Sequence, residues 1–444
     1  MPGDWYLFGT LNAYRKINKH PGSSVAGENL EKRRLHLGFI PLTDCAPLVI
    51  AHEKGYFRKY GLEVALSRES SWANIRDKVA AGVFDGAHML APLAIATTLG
   101  LEGIKKATIA PLALDLNGNA VTLSTELYPP PTKATGKSLS ATGLRHLIGR
   151  GKRRGLPRFA SVYPCSSHTY LLRYWFAAAG IDPGSDLDFS VIPPPQMAAC
   201  LESGEVAGYC VGEPWNEYAV ARGIGHVWTT SYEVWNNHPE KVLGVNQDWA
   251  EAHPNTLQAL LMALLEAARW IDRPENRIEV ATILSAPPYV DVPVDVVKMS
   301  MIGTFRYAAC QPPVSLPDFN VFYRYAATFP WRSHALWFLT QMVRWGQIVE
   351  PINLRRIAET VYRPDLYRQA ASALGIPVPE GDLKPEGIHA ETWTLETPAG
   401  PLSMGPDWFC DDKSFHPDDP VGYLADFAIH RRKVGLKDLA ACNP

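Results

Sequence analysis

The tetrapeptide from Cys165 to His168 brings a thiol, two hydroxyls and an imidazole to the start of a predicted helix. The first turn of a helix has free N–H groups and a partial positive charge, so this position suits an anion, to which His168 would add a directed donor. Two other interpretations stay open. Ser166 or Ser167 caps the helix and His168 lies on the surface, or Cys165 and His168 act as nucleophile and base, although no orienting acid is visible.

Trp72 and Lys241 are two further candidates for contact with a small ligand. Trp72 begins a predicted helix after a strand, where an indole is either ordinary core or a flat wall against a planar ligand. Lys241 enters an apolar run, where a lysine is either a solvated strand edge or the partner of an anion in a cleft. His238 and Glu240 offer metal-ligating atoms beside it, but no further cluster supports a metal site.

The composition of the 444-residue chain excludes several classes of protein. Its 43 Lys and Arg against 45 Asp and Glu give a formal net charge of −2, which argues against binding nucleic acid through bulk charge. No stretch approaches the roughly 18 to 20 consecutive apolar residues that a membrane span needs. The seven cysteines are widely spaced with no CxxC pair, which favours reduced thiols over disulfides or a zinc site.

Alternating strand and helix patterns must position the candidate residues. We predict strands at 34–42, 62–66, 86–90, 159–163, 189–192 and 206–211 and helices at 45–56, 72–81 and 167–179, with mainly helical structure from about residue 254. Strands that alternate with helices of about ten residues indicate βαβ units and a mostly parallel sheet. The basic stretch at 145–158 interrupts this pattern and is typical of a solvated loop.

Two such blocks separated by a break predict two α/β lobes with a cleft between them. We expect a polar leader at 1–33, the first part of lobe I at 34–118, lobe II at 119–240, and a return to lobe I with C-terminal helices and tail at 241–444. Ligands bind beyond the carboxyl ends of the strands in such sheets. This directs attention to Thr43–Asp44, Ser71–Trp72, the turn after Tyr163 and the PPPQM loop.

Ordered motifs along the chain resemble the nitrate/bicarbonate-binding branch of the periplasmic-binding-protein superfamily. They are LGFIPLTDCAPL from Leu37, AHEKGYF from Ala51, DGAHM from Asp85, His168 with RYW from Arg173, PPQM from Pro194, CVGEPW from Cys210 and HPEK from His238. The resemblance runs from about residue 34 to about residue 428. It implies a class II fold of two α/β lobes that close over a small oxyanion, with a helical C-terminal region. Members include lipid-anchored components of ABC importers and cytoplasmic nitrate/nitrite sensors that hold an RNA-binding antiterminator.

The same resemblance implies that Trp72, Asn119, His168 and Lys241 bind the ligand. Asn119 stands where the nitrate binders have Gln, and its shorter side chain implies a reshaped pocket. The bicarbonate binders of this branch carry an acid where Lys241 stands. That difference fits the chemistry, because nitrate offers only acceptors and needs donors, whereas the O–H of bicarbonate needs an acceptor.

We therefore expect a nitrate/nitrite-binding protein that is not an enzyme and has no cofactor, no metal and no direct contact with nucleic acid. The first 32 residues show no export signal, which favours a cytoplasmic sensor whose partner is an RNA-binding antiterminator. The alternative is the substrate-binding subunit of a nitrate ABC importer, periplasmic and paired with an ABC permease. An enzyme that uses Cys165 and His168 on the same fold is the alternative of another class.

Overall fold

The computed structural model describes residues 29–130, 143, 145 and 156–443. Most of the predicted leader at 1–33 and of the basic stretch at 145–158 lies outside the described residues. Within these ranges, no helix combines the length and the apolar character that a bilayer crossing requires.

Sixteen strands are present in the described part of the chain. They are β1 (Arg34–Phe39), β2 (Glu63–Arg68), β3 (Gly86–Leu90), β4 (Thr108–Ala113), β5 (Leu116–Asn117), β6 (Asn119–Ser124), β7 (Arg158–Ser161), β8 (Asp188–Val191), β9 (Gly208–Gly212), β10 (Gly225–Thr230), β11 (Lys241–Asn246), β12 (Thr304–Phe305), β13 (Val314–Ser315), β14 (Asn320–Val321), β15 (Trp393–Leu395) and β16 (Leu402–Met404). The region after residue 254, predicted as mainly helical, therefore also contains five short strands.

The helices of the described residues pack around these strands. The α-helices span Ala46–Glu53, Tyr56–Lys59, Trp72–Ala80, Ala91–Leu99, Ser167–Ala178, Met197–Glu202, Trp215–Ala221, Ser231–Val234, Gln247–Ala252, Pro254–Ile271, Arg277–Leu284, Val294–Met301, Arg332–Arg344, Leu354–Val361, Pro364–Ala373, Pro420–Ala425 and Leu436–Ala441. Four 3-10 turns cover Thr43–Cys45, Pro194–Gln196, Pro274–Asn276 and Arg324–Ala326.

Among the described residues, two five-stranded sheets form the cores of two lobes, as the alternating pattern predicts. The expectation of a mostly parallel sheet is wrong, because half of the strand pairings in each sheet are antiparallel. The first has the order β2-β1-β3-β11-β4 and the second the order β10-β6-β9-β7-β8. Strand β1 runs parallel to β2 and β3, and β7 runs parallel to β8 and β9. In each sheet an antiparallel strand lies between its neighbours, β11 in the first and β6 in the second. The two-lobe α/β architecture is confirmed.

The sequence of strand β4, TIAPLA, does not predict a strand. Pro111 lacks the N–H that a ladder needs, so proline is confined to sheet edges and bulges. Strand β4 lies at the edge of its sheet, and the register with β11 shifts between Leu243 and Val245, opposite the Ala110–Pro111 pair. The proline is accommodated by an irregularity at a sheet edge.

Hydrogen bonds between described residues join the two lobes directly. The Thr43 N–H donates to the Glu213 carbonyl at 2.8 Å, and Trp215 Nε1 donates to the Pro41 carbonyl at 3.0 Å. On another part of the interface, Arg76 Nη1 donates to the Tyr163 hydroxyl at 2.6 Å. The lobes therefore contact each other directly in this structure.

An aromatic cluster ties the C-terminal region to the segment that returns from lobe II to lobe I. Trp235 lies in that segment, and its ring stacks on Phe409 with centroids 4.7 Å apart and an interplanar angle of 23°. Trp337 from the helix Arg332–Arg344 packs against the same indole at 4.7 Å. Because all three rings are at most 2% exposed, this contact makes the C-terminal region part of the core.

Removing the Phe409 ring should destabilise the protein substantially. Phe409→Ala leaves a cavity under Trp235, and such core truncations lower the free energy of unfolding by about 3 to 5 kcal/mol. Its neighbour Trp408 is 37% exposed, so Trp408→Ala should change that free energy by about 0.5 kcal/mol or less. Urea unfolding followed by far-UV circular dichroism measures both. Equal midpoints for the two variants would contradict a structural role for the stack.

Candidate functional site

Nine polar or aromatic side chains from the two lobes and their connection enclose a buried site that we call the cage. They are Asp44, Trp72, His88, Asp115, Asn119, His168, His238, Glu240 and Lys241. None is more than 2% exposed. The four residues predicted to bind ligand are thus buried in one region, and their contact with a ligand stays a prediction.

The first lobe supplies its cage residues from the carboxyl ends of its strands. Asp44 lies in the 3-10 turn that follows β1. Trp72 is the first residue of the helix after β2, and the Ser71 side chain caps that helix by accepting from the Asn74 N–H at 3.2 Å. Lys241 opens β11, opposite Leu90 at the end of β3. Asp44 and Trp72, from two of the positions that the sequence analysis singles out, thus lie in the cage, and their contact with a ligand stays a prediction.

The second lobe contributes the start of a helix and the start of a strand. Ser166 caps the helix Ser167–Ala178 by accepting from the Thr169 N–H at 3.0 Å, which places His168 in the first turn. Asn119 opens β6 and pairs with Gly212. The serine cap is thus present, but His168 is fully buried, so the surface interpretation of His168 is wrong.

Gly212 lets the amide of Asn119 approach the first lobe. A Cβ at Gly212 would lie 3.2 Å from Asn119 Oδ1 and 3.4 Å from Asp44 Oδ2. The first distance is tighter than ordinary van der Waals contact, so a side chain here would crowd the cage. Gly212 therefore helps to shape the cage. It lies in the CVGEPW motif, but the motif alone does not indicate this role.

Lys241 is held by two carboxylates. Its Nζ donates to Asp44 Oδ2 at 2.6 Å and to Glu240 Oε1 at 2.5 Å, and it lies 5.6 Å from the centre of the Trp72 ring. The backbone N–H of Lys241 donates to Asp115 Oδ1 at 2.9 Å. Because Lys241 is fully buried, the interpretation as a solvated strand edge is wrong.

The ion pairs keep these three groups charged despite their burial. Burial alone would raise the pKa of Asp44 and Glu240, but the Lys241 ammonium, the neighbouring histidines and the hydrogen bonds they donate together lower both pKa values. Burial likewise opposes the charge of Lys241, and the two carboxylates overcome this and raise its pKa. The centre of the cage therefore has two negative charges and one positive charge.

Burial favours the neutral form of the other titratable groups of the cage. Burial, reinforced by the Asp44 charge, raises the pKa of Asp115 well above its usual range. Burial lowers the pKa of His88, and it lowers the pKa values of His168 and His238 to about 4. With these groups neutral, the two carboxylates that contact the one Lys241 ammonium leave one negative charge in excess.

Several donors in the cage have no hydrogen-bond acceptor among the residues that the structure describes. They are Trp72 Nε1, Asn119 Nδ2 and the one N–H of the neutral His168 imidazole, of which neither ring nitrogen has a partner. Nearly all buried polar groups in folded proteins are hydrogen-bonded, so a cluster of unsatisfied donors marks a place for a polar ligand. These donors come from both lobes, so a ligand that accepts from all of them would bridge the cleft.

Cys165 takes no part in this arrangement. Its sulfur accepts a hydrogen bond from Gln347 Nε2 at 3.4 Å, and burial raises the pKa of the thiol to about 12. A nucleophilic cysteine needs the opposite shift, towards the thiolate. The geometry does not support the nucleophile–base pair of Cys165 and His168.

Sequence reasoning singled out four of the nine cage residues as ligand contacts and missed the role of the acids. Asp44 lies in a 3-10 turn, Asp115 in a loop and Glu240 before a strand, and no spacing rule links these three positions to one another. The available signal was positional, because Asp44 directly follows a strand whose carboxyl end faces the cleft. No His/Cys/Asp/Glu cluster in the described ranges could hold a metal ion.

Comparison with known proteins identifies the relatives of the chain. The sequence profile of the NMT1-like family matches residues 28–285. The nitrate import ATP-binding protein NrtC of Synechocystis sp. strain PCC 6803 is 40% identical over 92% of this chain, but the chain spans only 57% of that protein. The nitrate/nitrite binding protein NrtA of Nostoc sp. strain PCC 7120 is 34% identical over 93% of this chain and 90% of its own length. Among solved structures, the periplasmic nitrate-binding protein NrtA from Synechocystis PCC 6803 superimposes with a TM-score of 0.81 at 31% identity, covering 90% of this chain and 100% of that one.

Removing the Lys241 ammonium should destabilise the fold. Lys241→Ala leaves two buried carboxylates without a counter-ion, which costs about 3 to 5 kcal/mol in the free energy of unfolding. Adding Asp44→Asn and Glu240→Gln to the same chain removes the uncompensated charge and should recover most of that loss. The control is the ion pair of Lys78 and Glu69, in which the lysine side chain is 40% exposed.

The control Lys78→Ala should lower the free energy of unfolding by about 1 kcal/mol at most. Urea unfolding at pH 7 compares wild type, Lys241→Ala, the triple variant and Lys78→Ala. A Lys241→Ala midpoint that matches wild type would show that Lys241 does not hold the two carboxylates in solution.

Proposed function

The chain belongs to the NMT1-like family, and from that premise we propose that it binds nitrate or nitrite in the cage and works with an ABC-type importer. The main support for this proposal is the cluster of unsatisfied donors from Trp72, Asn119 and His168. His168 also lies at the start of the helix Ser167–Ala178. Like its NrtA relatives, it is a binding protein and not an enzyme.

The donors match what a planar oxyanion needs. Nitrate and nitrite have only acceptors, and in this proposal the Trp72 indole N–H, the Asn119 amide and the His168 ring donate to their oxygens. The free N–H groups of the first turn of Ser167–Ala178 add donors and a partial positive charge. The hydrogen bonds that join Thr43 to Glu213 and Arg76 to Tyr163 close the lobes around the bound anion.

The relatives favour an import component over the cytoplasmic sensor expected from the sequence. NrtA is named for nitrate/nitrite binding and NrtC for nitrate import, and neither name points to an RNA-binding antiterminator. We therefore propose an ABC permease and its ATPase as the partners. The periplasmic location of the structural relative supports the periplasmic alternative for this chain.

Bicarbonate is a second candidate ligand because of Glu240. Its Oε2 has no hydrogen-bond donor among the described residues, and it is ionised beside Lys241. A carboxylate can accept the O–H of bicarbonate, which nitrate lacks. Glu240→Gln separates the two ligands, since it should weaken bicarbonate binding and spare nitrate.

Calorimetric titration with nitrate, nitrite, bicarbonate and sulfate tests the ligand. Nitrate has four heavy atoms, and about 1.5 kcal/mol per atom gives roughly 6 kcal/mol, a Kd on the order of tens of micromolar. Trp72→Phe keeps the ring and removes one donor to an anion, so it should weaken binding about ten- to a hundredfold. Trp249→Phe removes an indole N–H outside the cage and is the control. Millimolar Kd values for all four anions would refute oxyanion binding.

Affinity purification from the native host tests the partner. A tagged full-length chain should recover an ABC permease or import ATPase, and cell fractionation should place the chain outside the cytoplasm. Recovery of an RNA-binding protein that nitrate releases would instead establish the sensor. The double result of cytoplasmic location and no importer component would rule out the importer proposal.

A further inference from the structure

Two carboxylates contact the single ammonium of Lys241, so an anion that enters the cage meets no uncompensated positive charge. Asp44 and Glu240 each accept a hydrogen bond from the same ammonium, at 2.6 and 2.5 Å. Both carboxylates and the lysine are at most 2% exposed. The single cation of the cage is therefore already compensated before a ligand arrives.

A second buried lysine–glutamate–histidine group shows the ordinary balance. Lys384 Nζ lies 2.5 Å from Glu386 Oε1, and His334 Nε2 lies 3.1 Å from the same oxygen. Here one carboxylate meets one ammonium. The cage has the same three residue types in Glu240, Lys241 and His168, with Asp44 as an additional carboxylate.

A monoanion added to the cage would place a second uncompensated negative charge among buried groups. Uncompensated buried charge is costly by several kcal/mol, and proteins normally avoid it by a change of protonation. The group placed to accept a proton is His168. Its Nε2 lies 3.5 Å from Glu240 Oε1, and no described residue accepts a hydrogen bond from its ring.

We propose that the cage takes up one proton together with its anion, and that His168 holds this proton between Glu240 and the bound oxyanion. The proton comes from solvent, and no bond other than the new N–H forms. This inference rests on the proposed oxyanion function, because it describes how the same site accepts that ligand. His168 is thereby a neutral donor in the free protein and an imidazolium in the complex.

The titratable and charged groups that face His168 and Glu240 come from five parts of the fold. They are Asp44 after β1, His88 in β3, Asp115 before β5, Cys210 in β9, and His238 and Lys241 around Glu240. Of these, Asp44 and Lys241 already form an ion pair, and burial keeps Asp115 and Cys210 protonated. His238 is the other imidazole near Glu240, at 3.9 Å, but its Nδ1 lies 3.0 Å from the Pro239 carbonyl, so His168 is the freer of the two.

The direction of the pH effect follows from the free protein. Burial holds the pKa of His168 at about 4 without ligand, so the proton must be taken up at neutral pH when the anion binds. Nitrate affinity should then fall as pH rises, by up to about tenfold per unit for one coupled proton.

Calorimetry in buffers of different ionisation enthalpy counts the proton directly. Wild-type protein titrated with sodium nitrate at pH 7 in PIPES, HEPES and Tris should show an observed enthalpy whose slope against buffer ionisation enthalpy is close to one proton taken up. Glu240→Gln removes the extra negative charge without changing the size of the side chain, so the slope should approach zero, whatever nitrate affinity the variant retains. Glu386→Gln is the matched control and should keep the wild-type slope.

Each outcome decides a different question. A slope near zero for wild type with measurable nitrate binding would overturn proton coupling and leave the oxyanion function intact. Absence of binding by any oxyanion in wild type would overturn both. If Glu240→Gln does not fold, the wild-type Kd between pH 6 and 8 replaces it, and a pH-independent Kd contradicts the inference.

Discussion

The double ion pair on Lys241 is the interaction on which the rest of the site depends. Asp44 comes from the turn after β1, whereas Glu240 and Lys241 lie where the chain returns from lobe II to lobe I. Buried ion pairs of this kind contribute little net stability compared with apolar packing, but breaking one is strongly destabilising. The pair therefore fixes the geometry of the crossing segment, and with it the positions of Trp72 and His168 relative to each other.

Burial of the cage makes lobe movement a requirement of binding. A ligand can reach side chains that are at most 2% exposed only if the lobes separate, which breaks contacts such as that between Thr43 and Glu213. The closed arrangement must then be favoured by the ligand through contacts that only the closed state makes. Donors on both sides of the cleft, in Trp72 and His168, meet this condition, because an anion can bond to both only when the lobes are together.

The fold was largely predictable from the sequence, and the cage only in part. Local periodicity identifies β3 and the helix Trp72–Ala80 almost to the residue, because each element follows its own hydrophobic pattern and cap. Pro111 conceals β4, since the bulge that accommodates it depends on pairing with β11. The acids of the cage were not predictable for a related reason. Asp44 and Asp115 are far from Lys241 in the chain, and their effect on it arises only from tertiary folding. Glu240 adjoins Lys241 in the sequence, but the spacing does not show that its side chain turns back to the ammonium.

The charge balance of the cage, more than the identity of any one side chain, decides which ligands it can hold. A lysine in this position suggests an anion site, but Lys241 is already neutralised by Asp44, and Glu240 leaves a negative charge in excess. In the proposed mechanism nitrate enters together with a proton from solvent, whereas bicarbonate brings an O–H of its own that Glu240 can accept. The selectivity between the two anions is therefore set by where the proton resides. In this cage His168 and Glu240, 3.5 Å apart, are the two groups that determine it.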